Sequence, residues 1–191
     1  MKKGIGGLVG LGIVVAIIAM SLIGTYNTLV VMDTDVQAKW AQIDNQLKRR
    51  ADLIPNLVET VKGFAAQEKS IMADISDARA KLGGADSPSE AAEANAELTS
   101  ALGRLLVIVE NYPDLKSDQT FKDLMFELTG TENRIAVARK DYNETVQPYN
   151  VKVRSFPTNL IAPIFGFHQA EFFEIAESER ATPEVDFSSE D

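Results

Sequence analysis

"DVQAKWAQIDNQLKRRADLIPNLVETVKGF", residues 35–64, places Val36, Trp40, Ile43, Leu47, Arg50, Ile54, Leu57, Val61 and Phe64 at alternating steps of three and four. Such steps line up on one face of an α-helix, so the stretch reads as a helix with one narrow stripe turned towards its neighbours. The same phase continues through Glu68, Ile71, Ile75, Ala78 and Leu82. The spacing therefore predicts a single helix from Val36 to Gly83-Gly84, interrupted on its apolar face only by Arg50 and Glu68.

Two features of this stretch need a reason. Pro55 removes a backbone donor and crowds the carbonyl of Ala51, so a bend is expected there. The bend either lets a long helix wrap its neighbours or offers "DLIPNL", with Asp52, Pro55 and Asn56, to a partner. Arg50 sits on the stripe beside Arg49, and its guanidinium must either extend to solvent or pair with an acid from another helix. Glu127, Glu132 and Asp141 are the candidates, because they flank the third stripe described below. A polar network fixing helix register and a ligand site between helices are both compatible with that placement. For the second, Arg50, Asp52, Glu132, Asn133 and Arg139 are the polar groups nearest the seams.

Downstream, "SPSE" begins a second helix, with Ser87 as cap, Pro88 in the first turn and Glu90 completing a capping box. Its stripe is Ala91, Ala94, Leu98, Ala101, Leu105 and Val109, and it stops at Tyr112-Pro113. A third stripe runs through Phe121, Leu124, Leu128, Thr131, Ile135, Ala138, Tyr142, Thr145 and Tyr149. No stretch of the body alternates with a period of two. The fold class is all-α: an antiparallel three- to four-helix bundle with coiled-coil-like packing. Beyond it, "TNLIAPIFGF" is short and apolar, "AEFFEIAE" reads as a last helical piece, and the acidic end, residues 179–191, reads as a disordered tail.

At the other end, Gly4 to Gly24 carries no charge. At about 1.5 Å per residue it can cross a hydrocarbon layer roughly 30 Å thick, so a single transmembrane helix is expected there. A cleaved signal peptide is the rival reading, but the run is longer than most signal cores and Ala19-Met20-Ser21 is a marginal cleavage site. The expected organisation is an anchor over residues 1–25, a helical body over 26–178 and the tail. Gly6 and Gly10, continued by Gly12 and Ala16, would allow two such helices to approach closely, which makes a homo-oligomer one partner class. Lys2 and Lys3 before the span outnumber Lys39 after it, which favours a cytoplasmic amino terminus and a body outside the cytoplasm.

Composition narrows the chemistry. With 191 residues and a formal net charge of −9, one domain is expected and nucleic acid is not a partner, because phosphates are held by clustered Lys and Arg. There are no cysteines and one histidine, His168, which removes thiol chemistry, disulfides and the common zinc sets. No glycine-rich phosphate loop, nucleophile with a base, or metal set stands out, so no catalytic, cofactor or metal residue is assigned.

"YNTLV", "AQIDNQLKRRADLIPNLVETVKG", "ENYPDLK", "FKDLMFELTGTENRIAVARKDYNETV" and "YNVKVRSFPTNLIAPIFGF" occur in the order and spacing of the LemA family of bacterial membrane-associated proteins, which the chain resembles from Tyr26 to about Phe173. The resemblance implies one amino-terminal membrane helix followed by an antiparallel helical bundle, in the bacterial inner membrane. It implies no defined chemistry, although some relatives are linked to organising membrane compartments. Gln67 stands where many relatives have His before Glu, which argues against a pH- or metal-linked role at that position.

These readings converge on a membrane-anchored scaffold or adaptor. It would hold the bilayer through residues 4–24 and offer its helical body to membrane or envelope proteins. The alternatives are a protein that organises or remodels the bilayer through "NLIAPIFGFHQAEFF", and a sensor with a ligand between its helices.

Overall fold

A computed structural model describes residues 2–174 of the chain. It contains α1 (Lys2–Phe64), α2 (Lys69–Gly83), α3 (Pro88–Val109), α4 (Pro113–Ser117), α5 (Gln119–Arg154) and α6 (Thr158–Ile161), followed by a 3-10 turn (Ala162–Phe165). Among the described residues there is no strand, and the fold class is all-α. The acidic end expected to be disordered lies outside the described residues.

The single helix expected from Val36 to Leu82 is in fact two. α1 closes with Ala65 N–H donating to the Val61 carbonyl at 2.8 Å. Glu68 then donates to Ala65 and Lys69 to Gln67, which makes a tight turn. Glycine at 63 weakens the last turn of α1, and Phe64, on the stripe by spacing, is exposed. Tyr112 fixes the turn from α3's far end: its hydroxyl donates to Glu68 at 2.7 Å and accepts from the Gln67 amide at 2.8 Å. The Glu68 carboxylate, first of all, holds the Tyr112 hydroxyl above its ordinary titration range. Periodicity missed the reversal because the turn keeps phase, so Ile71, Ile75, Ala78 and Leu82 are buried as the stripe requires.

The chain forms two compact units. Among the described residues, one takes 42–140 and 172–174; the other takes 2–41 and 141–171. In the first, α2 and α3 run in opposite directions, as Lys81–Glu97 and Arg104–Asp74 pair at 2.6 and 3.0 Å. Ile43, Leu47, Ile54, Leu57, Ile75, Leu98, Leu105, Leu115, Leu128 and Ile135 form its core. Each such side chain contributes about 1.5–3 kcal/mol on burial. The α3 cap follows expectation, with Ser87 Oγ accepting from Glu90 N–H at 3.2 Å. The return bond lands one residue early, from Asp86 N–H to the Glu90 carboxylate at 2.9 Å.

In the second unit, α1 and α5 are antiparallel: Tyr149 bonds Asp33 through its hydroxyl, Lys39 pairs with Asp141 at 3.5 Å, and Trp40 packs on Tyr142 with ring centres 5.8 Å apart. The helix expected at residues 170–177 is absent where described, from Ala170 to Glu174. Its backbone groups are satisfied differently. Asn150 donates to the Ala170 carbonyl and accepts from Ala170 N–H, both at 2.8 Å, and Tyr142 donates to the Glu171 carbonyl at 2.8 Å. These side chains tie Ala170 and Glu171 to α5, and hydrogen bonds that a helix would make there are made to α5 instead.

Burial first, and then Glu171, pushes the Tyr142 hydroxyl from its ordinary 10.0 to about 12. Burial first, and then Asp33, does the same for Tyr149. The folded chain keeps both protons over a window in which the unfolded chain has released them. Their stabilisation is therefore complete below pH 10 and is lost as pH rises to about 12. Chemical denaturation followed between pH 9 and 12 should show stability falling with pH, more shallowly for the double variant Tyr142→Phe/Tyr149→Phe. An equal slope in both proteins would refute this assignment.

Candidate functional site

The most heavily connected polar group of the unit 42–140 is Arg50, which the stripe places on the inner face of α1. Its side chain is almost wholly buried, 3% exposed. One terminal nitrogen donates to Asn95 Oδ1 and to the Glu132 carboxylate; the other donates to Thr99 Oγ1 at 3.1 Å. Thr99 in turn donates to the Asn95 carbonyl at 2.9 Å. One guanidinium thus joins α1, α3 and α5. Arginine keeps its charge when buried, and its planar fork can meet several fixed acceptors at once, which lysine cannot do. Glu132, half-buried, supplies the compensating negative charge.

The three acids expected near Arg50 are divided among three cations. Glu132 takes Arg50, Glu127 takes Arg49 at 2.8 Å, and Asp141 takes Lys39. The Arg49 pair is exposed and contributes at most about 1 kcal/mol. Asp52, Pro55, Asn56 and Asn133 are exposed and Arg139 is half-buried. Sequence reasoning missed Asn95 and Thr99. The signal was present, since Asn95 is a polar residue set among Ala91, Ala92, Ala94 and Ala96 on a helix whose alanines are all buried.

Beside this network lies the answer to Pro55. α1 continues through the proline, which has no N–H to give the Ala51 carbonyl. That carbonyl accepts instead from Arg79 Nε of α2 at 2.9 Å. The rung missing from α1 is thus replaced from the adjacent helix, one residue from Arg50. Gln46 Oε1, one turn before Arg50, is buried without a hydrogen-bond partner among the described residues. Also among the described residues, no group of three or more His, Asp or Glu is placed to hold a metal ion. The arrangement is chemically suited to joining helices: it has fixed charges and internal partners, and its central guanidinium is buried.

Among the described residues one helix is long and apolar enough to cross a membrane, and it lies near the amino terminus; Leu11, Ile13, Val14, Val15, Ile17, Met20 and Ile23 are all exposed on it. The LemA family model matches residues 39–187. Magnetosome protein MamQ 2 of Paramagnetospirillum magneticum is 35% identical over 187 residues, covering 84% of this chain and 68% of the relative. Magnetosome protein MamQ of Magnetospirillum gryphiswaldense is 32% identical over 179 residues, covering 80% and 66%. Protein LemA of Metamycoplasma hominis is 25% identical over 159 residues, covering 83% and 73%. With an apolar leading helix, a helical body built around "RRADLIPNLV" and a family match over most of its length, this membrane-associated chain belongs to the LemA family.

Proposed function

We propose that the protein is a non-catalytic, single-pass scaffold of the bacterial inner membrane that presents the helices of residues 42–140 to protein partners outside the cytoplasm. The observation that carries this reading is the exposure of large apolar side chains on the helical body: Phe126 and Val137 on α5, and Leu106 and Val107 on α3. Phe126, Asn133 and Val137 are seven and four residues apart and so share one face of α5. The network centred on Arg50 supports the same reading, because it stiffens the helices behind such a face. Arg49, Asp52 and Asn56, exposed on α1, offer polar contacts at a rim.

A photocrosslinking residue at Phe126, carried by the full-length chain in native membranes, should give a small set of recurring adducts. An absence of reproducible adducts, including adducts with a second copy, would exclude the adaptor role. Protease protection of a tag after Asp191 in spheroplasts tests the orientation, with cleavage expected.

The organisation of membranes is the second reading. It is favoured by the exposed apolar residues between Phe156 and Phe165 and by the likeness to magnetosome proteins.

A further inference from the structure

The uncharged run at the amino end does not stop where a bilayer's hydrocarbon does. It continues from Gly24 to Met32, and the first charge is Asp33. A layer about 30 Å thick takes roughly 20 helical residues, so the part of α1 beginning near Thr25 emerges at headgroup depth without carrying any charge there. Tyr26 lies at that level, the depth at which amphipathic aromatic rings are favoured.

Tyr26 also anchors another part of the chain. Its ring packs against Phe165 at 5.0 Å and Phe167 at 5.8 Å. The segment that follows α5 is therefore pinned to α1 where α1 leaves the lipid. That segment has two faces. Thr158, Ile161 and Ala162 are buried, while Phe156 and Ile164 are 80% and 78% exposed and Leu160 and Phe165 are exposed with them. Closing a core uses only the first face. The second is an apolar surface of a kind that soluble proteins seldom leave in water; its Phe165 packs on the exposed Tyr26, and Val30, one turn further along the same face of α1, is exposed as well.

We propose that residues 156–165 dip into the interfacial layer of the same bilayer that α1 spans, as a second, non-spanning membrane contact that fixes the attitude of this unit on the surface. The occupant is lipid, because the surface continues the lipid-facing flank of α1. Arg154, exposed next to this segment, is positioned to meet phosphate groups, but the contact is mainly apolar and does not require anionic lipid. The proposal rests on α1 spanning the membrane.

The natural chain has no cysteine, so single-site spin labels can be introduced without background. Full-length protein carrying Phe156→Cys or Ile164→Cys would be labelled and reconstituted in phosphatidylcholine vesicles. Collisions with oxygen, which enters lipid, would be compared with collisions with a water-soluble nickel chelate. Val14→Cys, in the span, and Val107→Cys, on α3, are the lipid and water references. Labels at 156 and 164 should show an oxygen-to-nickel ratio several-fold above that at 107 and below that at 14. A ratio at 156 and 164 equal to that at 107, with 14 still in lipid, overturns the proposal alone. Nickel access at 14 overturns the spanning reading as well. Shielding of 156 and 164 from both reagents overturns the proposal in favour of a second copy covering the surface.

Discussion

Arg50→Ala should lower the stability of the helical body by about 3 kcal/mol, the lower end of the cost of breaking a buried ion pair, since the half-buried Glu132 can recover water. For a body of this size the corresponding fall in Tm is about 10 °C. The loss is larger than the pair alone would give, because Asn95 Oδ1 is left buried without its donor and Thr99 loses a partner. Arg49→Ala, one residue away, removes only an exposed pair and should change Tm by no more than about 3 °C, which makes it the internal control. Register is tested separately. Arg50→Met/Asn95→Leu/Glu132→Leu replaces the whole network with apolar side chains and should recover most of the lost stability, as buried ion pairs replaced entirely often do. If that variant also keeps the wild-type oligomeric state and a single set of helix contacts by disulfide trapping, then the network contributes nothing to register. A melting curve for Arg50→Ala that matches the wild type would remove the network from the account altogether.

The second large effect concerns the leading helix. Ile13 and Ile17 lie near the middle of the run from Gly4 to Gly24, and both are exposed. An arginine near the centre of a membrane helix costs about 3 kcal/mol on insertion scales. Ile13→Arg/Ile17→Arg together cost about 6 kcal/mol, a factor of roughly 10⁴ in partitioning. The expected result is a shift of the protein from the carbonate-resistant membrane pellet to the soluble fraction, with helix content of the body unchanged by circular dichroism. Retention of the double variant in the pellet would mean that something other than this helix holds the protein to the membrane. The contact proposed for residues 156–165 is too small to do so alone, because only a few side chains would enter the interface.

Much of the architecture was legible in the residues because its cause is local. The α3 and α5 stripes, the Ser87 cap and the inner placement of Arg50 follow from helical geometry and from unsatisfied backbone groups at helix ends. The recognition of Glu132 as one of three acids able to reach Arg50 was legible for the same reason, since flanking a stripe is a property of spacing. What escaped has non-local causes. The break after Phe64 depends on Tyr112, 44 residues beyond Glu68, reaching back to hold the turn. The non-helical course at Ala170 and Glu171 depends on Asn150 and Tyr142, whose amide and hydroxyl outcompete a local helix for the same backbone groups. Asn95 went unassigned because a polar residue in an alanine-rich helix states a need without naming who meets it.

Arg79 and Ala51 carry a consequence for how α2 can move. A helix-to-helix contact made only of Leu and Ile side chains tolerates a slip of one turn, about 5.4 Å, since one knob can replace another. A single acceptor created by a single proline has no equivalent one turn away. Sliding α2 along α1 would strand a guanidinium and an orphaned carbonyl together. Pro55 therefore acts less as a hinge than as a notch: it makes one position on an otherwise repetitive surface unlike every other, and Arg79 is the pin that finds it.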